Sequence, residues 1–215
     1  MHPNKTWIVV SCFALLAACA GQAKEPASVG FGPSPILPKP ESALIPTVKT
    51  ADAVGWPPGK APVAAAGLKV AAFASGLEHP RWLYVVPNGD VLVAETNAPP
   101  KPDDGKGIRG FFMKIVMKGA GAGVPSPNRI VLLRDANGDG VAEMKSTLLE
   151  GLNSPFGMQL IGDRLYVANS DAIWSYPYKQ GETKITDLGT KLTDLPAGTI
   201  NHHWTKNILA SGDGA

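Results

Sequence analysis

Seven consecutive residues near the end of the chain combine side chains suited to acid–base chemistry and polar recognition. Residues 201–207 read Asn-His-His-Trp-Thr-Lys-Asn, which places two imidazoles, an amine, two amides and a hydroxyl close together. Imidazole changes its charge near neutral pH, so a histidine in such a cluster is suited to proton transfer. The cluster is therefore the first candidate for a functional site.

A second group of oxygen-bearing residues lies at Asp135–Gly140, which reads Asp-Ala-Asn-Gly-Asp-Gly. Its spacing matches the first half of a calcium-binding loop, and Glu143 occupies the ninth position. The twelfth position, where a bidentate glutamate is expected, is Ser146. The same composition suits a hairpin turn, so the sequence favours a turn and leaves a structural calcium ion as the alternative.

The elements that position these residues are predicted to be β-strands. Short apolar or alternating runs recur after Gly67, and turn dipeptides such as Asn88-Gly89 and Gly162-Asp163 separate them. The predicted strands are Leu68–Phe73, Trp82–Val86, Val91–Ala94, Phe111–Met117, Arg129–Leu133, Leu165–Ala168 and Ala172–Tyr176. Residues 98–128 form a long insertion, which is expected to border a substrate entrance because long loops are commonly functional.

Two stretches of the chain repeat each other. Residues 76–83 read Gly-Leu-Glu-His-Pro-Arg-Trp-Leu, residues 151–158 read Gly-Leu-Asn-Ser-Pro-Phe-Gly-Met, and each precedes a turn and an apolar run. A looser third copy has His203 where the first two have Pro80 and Pro155. Recurrence in units of about 40–50 residues is typical of a β-propeller, whereas a β-sandwich requires no recurring motif. We therefore expect an all-β fold, a β-propeller with about three blades in this chain.

The first 19 residues are predicted to be a lipoprotein signal peptide. Lys5 precedes the apolar stretch Trp7–Ala18, and Leu16-Ala17-Ala18-Cys19 resembles a bacterial lipobox. The apolar stretch is shorter than the roughly 20 residues that a transmembrane helix requires. Cys19 is the expected lipid attachment site, which anchors the protein to a membrane, and an ordinary signal cut near an Ala-x-Ala site is the alternative.

Residues 20–66 are predicted to be a Pro-rich tether, and residues 67–215 an incomplete propeller domain. Nine prolines among small residues favour an extended chain in the tether. Cys12 and Cys19 are the two cysteines of the chain, so the domain has neither a disulfide nor a Cys-ligated metal. The formal net charge is +2 without a basic cluster, which gives no electrostatic reason to expect nucleic acid as a partner.

Three segments resemble the glucose/sorbosone dehydrogenase family, particularly its sorbosone dehydrogenase branch. They are Glu150–Met158, which reads Glu-Gly-Leu-Asn-Ser-Pro-Phe-Gly-Met, Arg164–Asn169, which reads Arg-Leu-Tyr-Val-Ala-Asn, and Asn201–Asn207. The resemblance extends from about Gly67 to the end of the chain. It implies a six-bladed propeller that uses pyrroloquinoline quinone (PQQ) with Ca²⁺ to oxidise a sugar or an aldehyde in the periplasm and passes the electrons to an acceptor.

The same resemblance implies roles for individual residues. His203 is the best match to the catalytic histidine of the family. Asn207 replaces the arginine of the soluble glucose dehydrogenases, and Lys206 beside it is a candidate cation for a cofactor carboxylate. A glutamine of the family falls at Leu152, which cannot hydrogen-bond a substrate, so its neighbour Asn153 is either a binding residue or a turn residue.

His202 is expected to point away from His203, because successive strand residues face opposite sides of a sheet. The stretch Ile208–Ala215 is predicted to be a strand running into a tight turn, without its partner strand. The chain is thus expected to be a fragment, with most cofactor contacts and the Ca²⁺ ligands in later blades. A membrane-anchored propeller that binds a carbohydrate or a protein without catalysis is the main alternative, and a lactone-hydrolysing propeller is a third.

Overall fold

The computed structural model describes residues 25–37, 39, 51–100, 106–198 and 201–212. The chain divides into two units, Met1–Ala51 and Asp52–Ala215. The described part of the first unit contains a short 3₁₀ helix, Ala27–Gly30. The signal peptide and Cys19 lie outside the described residues and remain predictions. Across the described ranges, no helix has the length and apolar character needed to cross a membrane.

The second unit is built from two four-stranded antiparallel sheets, each with its strands in chain order. The strands are β1 (Pro80–Val85), β2 (Val91–Glu95), β3 (Arg129–Arg134), β4 (Met144–Leu149), β5 (Met158–Ile161), β6 (Arg164–Ala168), β7 (Ala172–Pro177) and β8 (Thr190–Asp194). Sheet A contains β1 to β4 and sheet B contains β5 to β8. Successive up-and-down sheets of four strands are the blades of a β-propeller, as the recurring motif predicts.

The repeated motif has the same backbone geometry in both copies. Gly76 and Gly151 open it with φ of 66° and 71°, and His79 and Ser154 follow with φ of 48° and 46°. Each copy then enters the first strand of its sheet, near Pro80 in sheet A and Met158 in sheet B. The repeat in the sequence is therefore a repeat in the structure.

The two sheets share one apolar core. Alternating residues of β2, β3 and β4 contribute one side of it, and β5, β6 and β7 contribute the other. Its fully buried members include Leu92, Ile130, Leu132, Leu148, Met158, Leu165 and Val167. The opposite face of sheet A has a second cluster, Val93, Val131 and Leu133, which Phe73, Ala74 and Leu77 partly cover. Leu83 and Val85 of β1 are exposed on that face.

Two predicted strands are wrong. The run Phe111–Met117 lies inside a helix, α1 (Gly107–Gly119), because apolar residues at 108, 111, 112, 115 and 116 follow the helical period rather than alternation. Gly121 ends the helix with φ of 74°, and the Ala122 N–H donates to the Met117 carbonyl oxygen. Leu68–Phe73 has no strand pairing in the structure, and residues 68–72 are exposed.

The other predicted strands are present, and each extends by one or two residues beyond or before the predicted range. Sequence patterns missed β4, β5 and β8. β4 combines three polar residues with two buried leucines at its end, β8 is exposed throughout and mostly polar, and β5 is only four residues long. The described residues 201–212 contain no strand, so no strand is formed in the described part of the predicted run Ile208–Ala215.

Candidate functional site

The cluster at residues 201–207 lies against the start of sheet B. The backbone N–H of Gly157 donates to the carbonyl oxygen of Lys206 over 3.0 Å. A Cβ atom on Gly157 would stand 2.7 Å from the Asn207 Oδ1 and 2.8 Å from the Ile208 nitrogen, so the segment reaches this distance only because residue 157 is glycine. The absence of a side chain at Gly157 thus allows the histidine-containing segment to lie against sheet B.

Trp204 anchors this segment in an aromatic cluster at the ends of the sheets where β1 and β5 begin, here called the entry end. Its side chain is buried, and its ring meets Phe156 edge-on, with centroids 6.4 Å apart. Phe156 in turn packs on Trp82 of β1, with centroids 5.0 Å apart. The cluster therefore joins both sheets to the segment that contains the two histidines.

Arg81 completes the cluster from the first sheet. Its guanidinium carbon lies 5.3 Å from the centroid of the Trp204 ring, within the range of a cation–π contact. Arg81 and Phe156 each follow the proline of their repeat. Trp204 follows His203, which stands in place of that proline, so the three residues occupy the same position of the repeat. Three copies of one motif position thus meet at the entry end. Arg81 was not a candidate from the sequence, although the alignment of the repeats contains the signal that would have found it.

Both histidines of the cluster are exposed. They lie in a bend, so the alternation of strand residues that would have separated their directions does not apply. The carbonyl oxygen of His203 accepts a hydrogen bond from the Lys206 ammonium group over 3.4 Å. The His203 imidazole is thereby held on a segment fixed at both Trp204 and Lys206, and it is accessible from solvent.

The other predicted binding residues lie near the same end. Asn207 is exposed, and its side-chain oxygen accepts the N–H of Ile208. Asn153 is exposed in the loop before Phe156, and its carbonyl oxygen accepts the N–H of Ser170. Leu152 is buried in the core between the sheets. The structure thus places His203, Lys206 and Asn207 on one segment, and Asn153 on the loop that leads through Gly157 into β5.

The strand ends at the entry end carry buried polar groups. Glu95 is 1% exposed, and it accepts the Arg129 Nε–H over 2.5 Å and the backbone N–H of Glu78 over 2.7 Å. Arg129 also lies 3.5 Å from the Glu78 carboxylate. These contacts tie the motif of the first repeat to β3. They fix the backbone on which His79 and Arg81 stand.

A cleft of about 590 Å³ opens beside the first repeat. Leu77, Glu78 and His79 line one wall, and residues 124–127, which follow α1, line the other. The end of the long insertion therefore lines a cleft, and its role as a substrate entrance stays a prediction.

Comparison with known proteins places the chain in a family. Residues 66–213 match the model of a domain of unknown function, DUF7133. The chain belongs to the DUF7133 family. No curated protein matches this sequence. A solved structure that resembles the DUF7133 chain is the holo form of the pyranose dehydrogenase PQQ domain from Coprinopsis cinerea, with 20% identity and a TM-score of 0.47. That likeness covers 69% of this chain and 29% of the other, so the chain spans less than a third of the length of that structure.

The acidic loop Asp135–Gly140 of the DUF7133 domain is the hairpin connection between β3 and β4. The Asp135 carboxylate accepts the backbone N–H groups of Gly138 and Gly140, and these bonds, that from Gly140 above all, lower its pKa. Carboxylate oxygens of Asp135, Asp139 and Glu143 lie within 4.8 Å of one another. The turn is therefore confirmed. Calcium binding by these three carboxylates remains the untested alternative.

At the opposite end of the sheets, Asp90 is buried against Arg134. The guanidinium Nε and Nη2 each lie 2.7 Å from a carboxylate oxygen of Asp90, and the second also donates to the Gly181 carbonyl oxygen. The Arg134 hydrogen bonds hold the pKa of Asp90 below its ordinary value. This polar group joins sheet A to the loop after β7, at the strand ends opposite the histidine cluster.

Proposed function

We propose that this chain contributes the first blades and the catalytic histidine of a PQQ-dependent dehydrogenase that oxidises a sugar or an aldehyde. One observation carries the proposal. The three segments that resemble the glucose/sorbosone dehydrogenase family, separated in the sequence, contact one another at the entry end. Gly157 of the first bonds Lys206 of the third, and the N–H groups of Phe156 and Ala168 link the first to the second.

The chemistry of the donor set fits such a role. His203 is exposed and its segment is anchored by Trp204, so its imidazole can approach a hydroxyl hydrogen without a change in the fold. Lys206 adds a cation on the same segment, suited to the carboxylates of the cofactor. Asn207 and Asn153 supply exposed amides at the same end of the blades.

In the proposed reaction, His203 accepts the proton of the substrate hydroxyl, or of the hydrate of an aldehyde, as the oxygen–hydrogen bond breaks. PQQ, when bound, would supply the two-electron acceptor for the hydride that leaves the substrate carbon. The histidine then releases its proton to solvent, to which it is open. Positioned acid–base catalysis of this kind is typically worth about 10²–10⁴-fold in rate.

The rest of the proposal concerns the whole protein. Later blades would supply the Ca²⁺ ligands and most cofactor contacts, and an electron acceptor would reoxidise the quinone. A lipid on Cys19 and the Pro-rich tether would hold the domain at a bacterial membrane, facing the periplasm. The resemblance to the sorbosone dehydrogenase branch supports a sugar or aldehyde of the sorbosone or aldose type as the substrate.

The test is reconstitution of the protein that carries this chain with PQQ and Ca²⁺, followed by rate measurements with aldoses and aldehydes. His203→Gln is expected to lower kcat by about 10²–10⁴-fold with little change in the affinity for PQQ. His202→Gln is the matched control, because it removes the neighbouring exposed imidazole, and it should change kcat far less.

Two results would contradict the proposal. One is wild-type protein that gains no activity from PQQ and Ca²⁺, which favours a propeller that binds without catalysis. The other is a His203→Gln protein that oxidises its substrate at the wild-type rate, which removes His203 from the reaction.

A further inference from the structure

We infer that Arg81 is a carboxylate-binding residue of the site at the entry end, contributed by the first blade. This inference rests on the proposed function, because it concerns the same site. It adds to that function a second cation, from a different repeat, and it names the ligand group that this cation holds.

The other arginines with described side chains are committed to partners within the protein. Arg129 pairs with Glu95 and Arg134 pairs with Asp90. Arg164 donates to the hydroxyl and carbonyl oxygens of Ser175. Among the described residues, no carboxylate lies within ion-pairing distance of Arg81, whose contact is with the Trp204 ring.

The backbone directs Arg81 away from the ladder of sheet A. His79 has φ of 48°, a conformation that is unfavourable for any residue other than glycine. Pro80 pairs with Glu95 and Trp82 pairs with Ala94, so Arg81 is the extra residue of a β-bulge. Bulges redirect a side chain and are frequent beside functional sites. Together, the strained residue and the bulge bring the guanidinium over the Trp204 ring.

The position of Arg81 relative to the histidine segment is favourable for an anion. The guanidinium lies over the Trp204 ring, and Trp204 directly follows His203, the residue proposed to accept the proton. Stacking on the ring restricts the guanidinium, while Arg81 itself remains exposed to solvent. Its planar fork can bind a carboxylate through two parallel hydrogen bonds, which the ammonium group of Lys206 cannot do.

Two ligands can provide that carboxylate at this site. One is the quinone cofactor, which carries carboxylates. The other is the sugar acid formed when an aldehyde is oxidised. The chemistry that Arg81 recognises is the same for both, so the experiment must separate them.

The experiment titrates the protein that carries this chain with two probes, PQQ and D-gluconate, and measures binding from the change in tryptophan fluorescence. Arg81→Gln is expected to weaken binding of at least one probe about 10- to 100-fold, the effect of losing charge-assisted hydrogen bonds. Arg81→Lys should restore part of the affinity, because it keeps the charge and loses the fork. Arg164→Gln is the matched control, since it removes the same charge at the other end of β6, and it should leave both affinities within about twofold.

The outcomes are distinguishable. Weaker PQQ binding by Arg81→Gln supports the inference with the cofactor as the source, and weaker gluconate binding alone supports it with the sugar acid as the source. If both affinities stay at the wild-type value, the inference is wrong while the proposed function stands on its PQQ binding. A wild type that binds only gluconate, through Arg81, contradicts the proposed cofactor and retains the inference. A wild type that binds neither probe overturns both.

Discussion

His79 and Ser154, which lie 75 positions apart in the sequence, share a left-handed backbone conformation directly before a proline. The φ angles differ by two degrees, 48° against 46°. Neither residue is glycine, so this conformation costs each roughly 1–2 kcal/mol and must be held by its surroundings. The N–H of Ser154 donates to the Asn128 side chain, and the carbonyl oxygen of His79 accepts the N–H of Thr96. The same strained conformation therefore recurs in both copies of the repeat, just before the first strand of each blade.

The conformation of Ser154 predicts opposite responses to two substitutions. Ser154→Gly should change the free energy of unfolding by less than about 1 kcal/mol, because relief of the φ strain offsets the entropy that glycine loses on folding. Ser154→Val should destabilise by about 2–3 kcal/mol, since a β-branched residue is poorly compatible with positive φ. Urea unfolding measures both. Ser75→Val, at an exposed position with ordinary φ, is the control, and an equal loss there would contradict the argument.

The Asp90–Arg134 pair predicts a loss of stability in acid. The pKa of Asp90 is lowered in the folded protein, chiefly by the Arg134 hydrogen bonds. The contribution is therefore complete above the unfolded-state pKa of about 3.9 and is lost as the pH falls through the folded-state pKa. Wild-type protein should lose more unfolding free energy between pH 6 and pH 3 than Asp90→Asn. Asp163→Asn, at an exposed turn, should keep the wild-type pH dependence, and parallel curves for wild type and Asp90→Asn would disprove the assignment.

The Glu95–Arg129 pair predicts an asymmetry between its two partners. Arg129→Met leaves the Glu95 carboxylate buried without its cation, which should cost about 3–5 kcal/mol. Glu95→Gln leaves Arg129 partly solvated and 3.5 Å from Glu78, so the loss should be nearer 1–2 kcal/mol. Chemical denaturation of the two variants gives the comparison. Lys191→Met, which removes the cation of an exposed pair with Asp194, should cost less than about 1 kcal/mol. Equal losses at Arg129 and Glu95 would show that burial of the carboxylate is not the deciding factor.

The sequence predicted the parts of the fold that depend on local patterns. The apolar strands next to turn dipeptides, such as β2 beside Asn88-Gly89, are present because alternation and turn chemistry act within a few residues. The repeat at residues 76 and 151 led to the blade architecture. The strand prediction was wrong at residues 107–119, where a run rich in β-branched and aromatic residues has the helical period instead.

The site depends on contacts between distant residues, which local patterns do not contain. His203, Lys206 and Asn207 are predicted site residues, chosen from their cluster and from the family resemblance. The contact of Arg81 with Trp204 joins residues more than a hundred positions apart, and it depends on a bulge that no local signal predicts. The role of Gly157 likewise appears only when the third repeat lies against the second.

That role gives the last prediction, which concerns the docking of the histidine segment. Gly157→Ala would place a Cβ 2.8 Å from the Asn207 Cα and the Ile208 nitrogen, both backbone atoms that cannot move independently of the chain. Residues 203–208 should therefore move away from sheet B, and the hydrogen bond from Gly157 to Lys206 should break. Overpacking of this kind costs about 1–3 kcal/mol. Because Trp204 lies in the displaced segment, its emission should shift to longer wavelength and become more accessible to acrylamide quenching.

Gly198→Ala is the matched control, because no atom lies within 4 Å of its added methyl group and its φ is ordinary. It should leave the fluorescence and the stability at their wild-type values. Two sheets that retain their circular dichroism while Trp204 becomes accessible would show that the segment docks on a fold that does not depend on it. If Gly157→Ala leaves Trp204 as protected as in the wild type, the close approach at Gly157 does not position the segment, and the contacts of Trp204 with Phe156 and Arg81 must hold it in place.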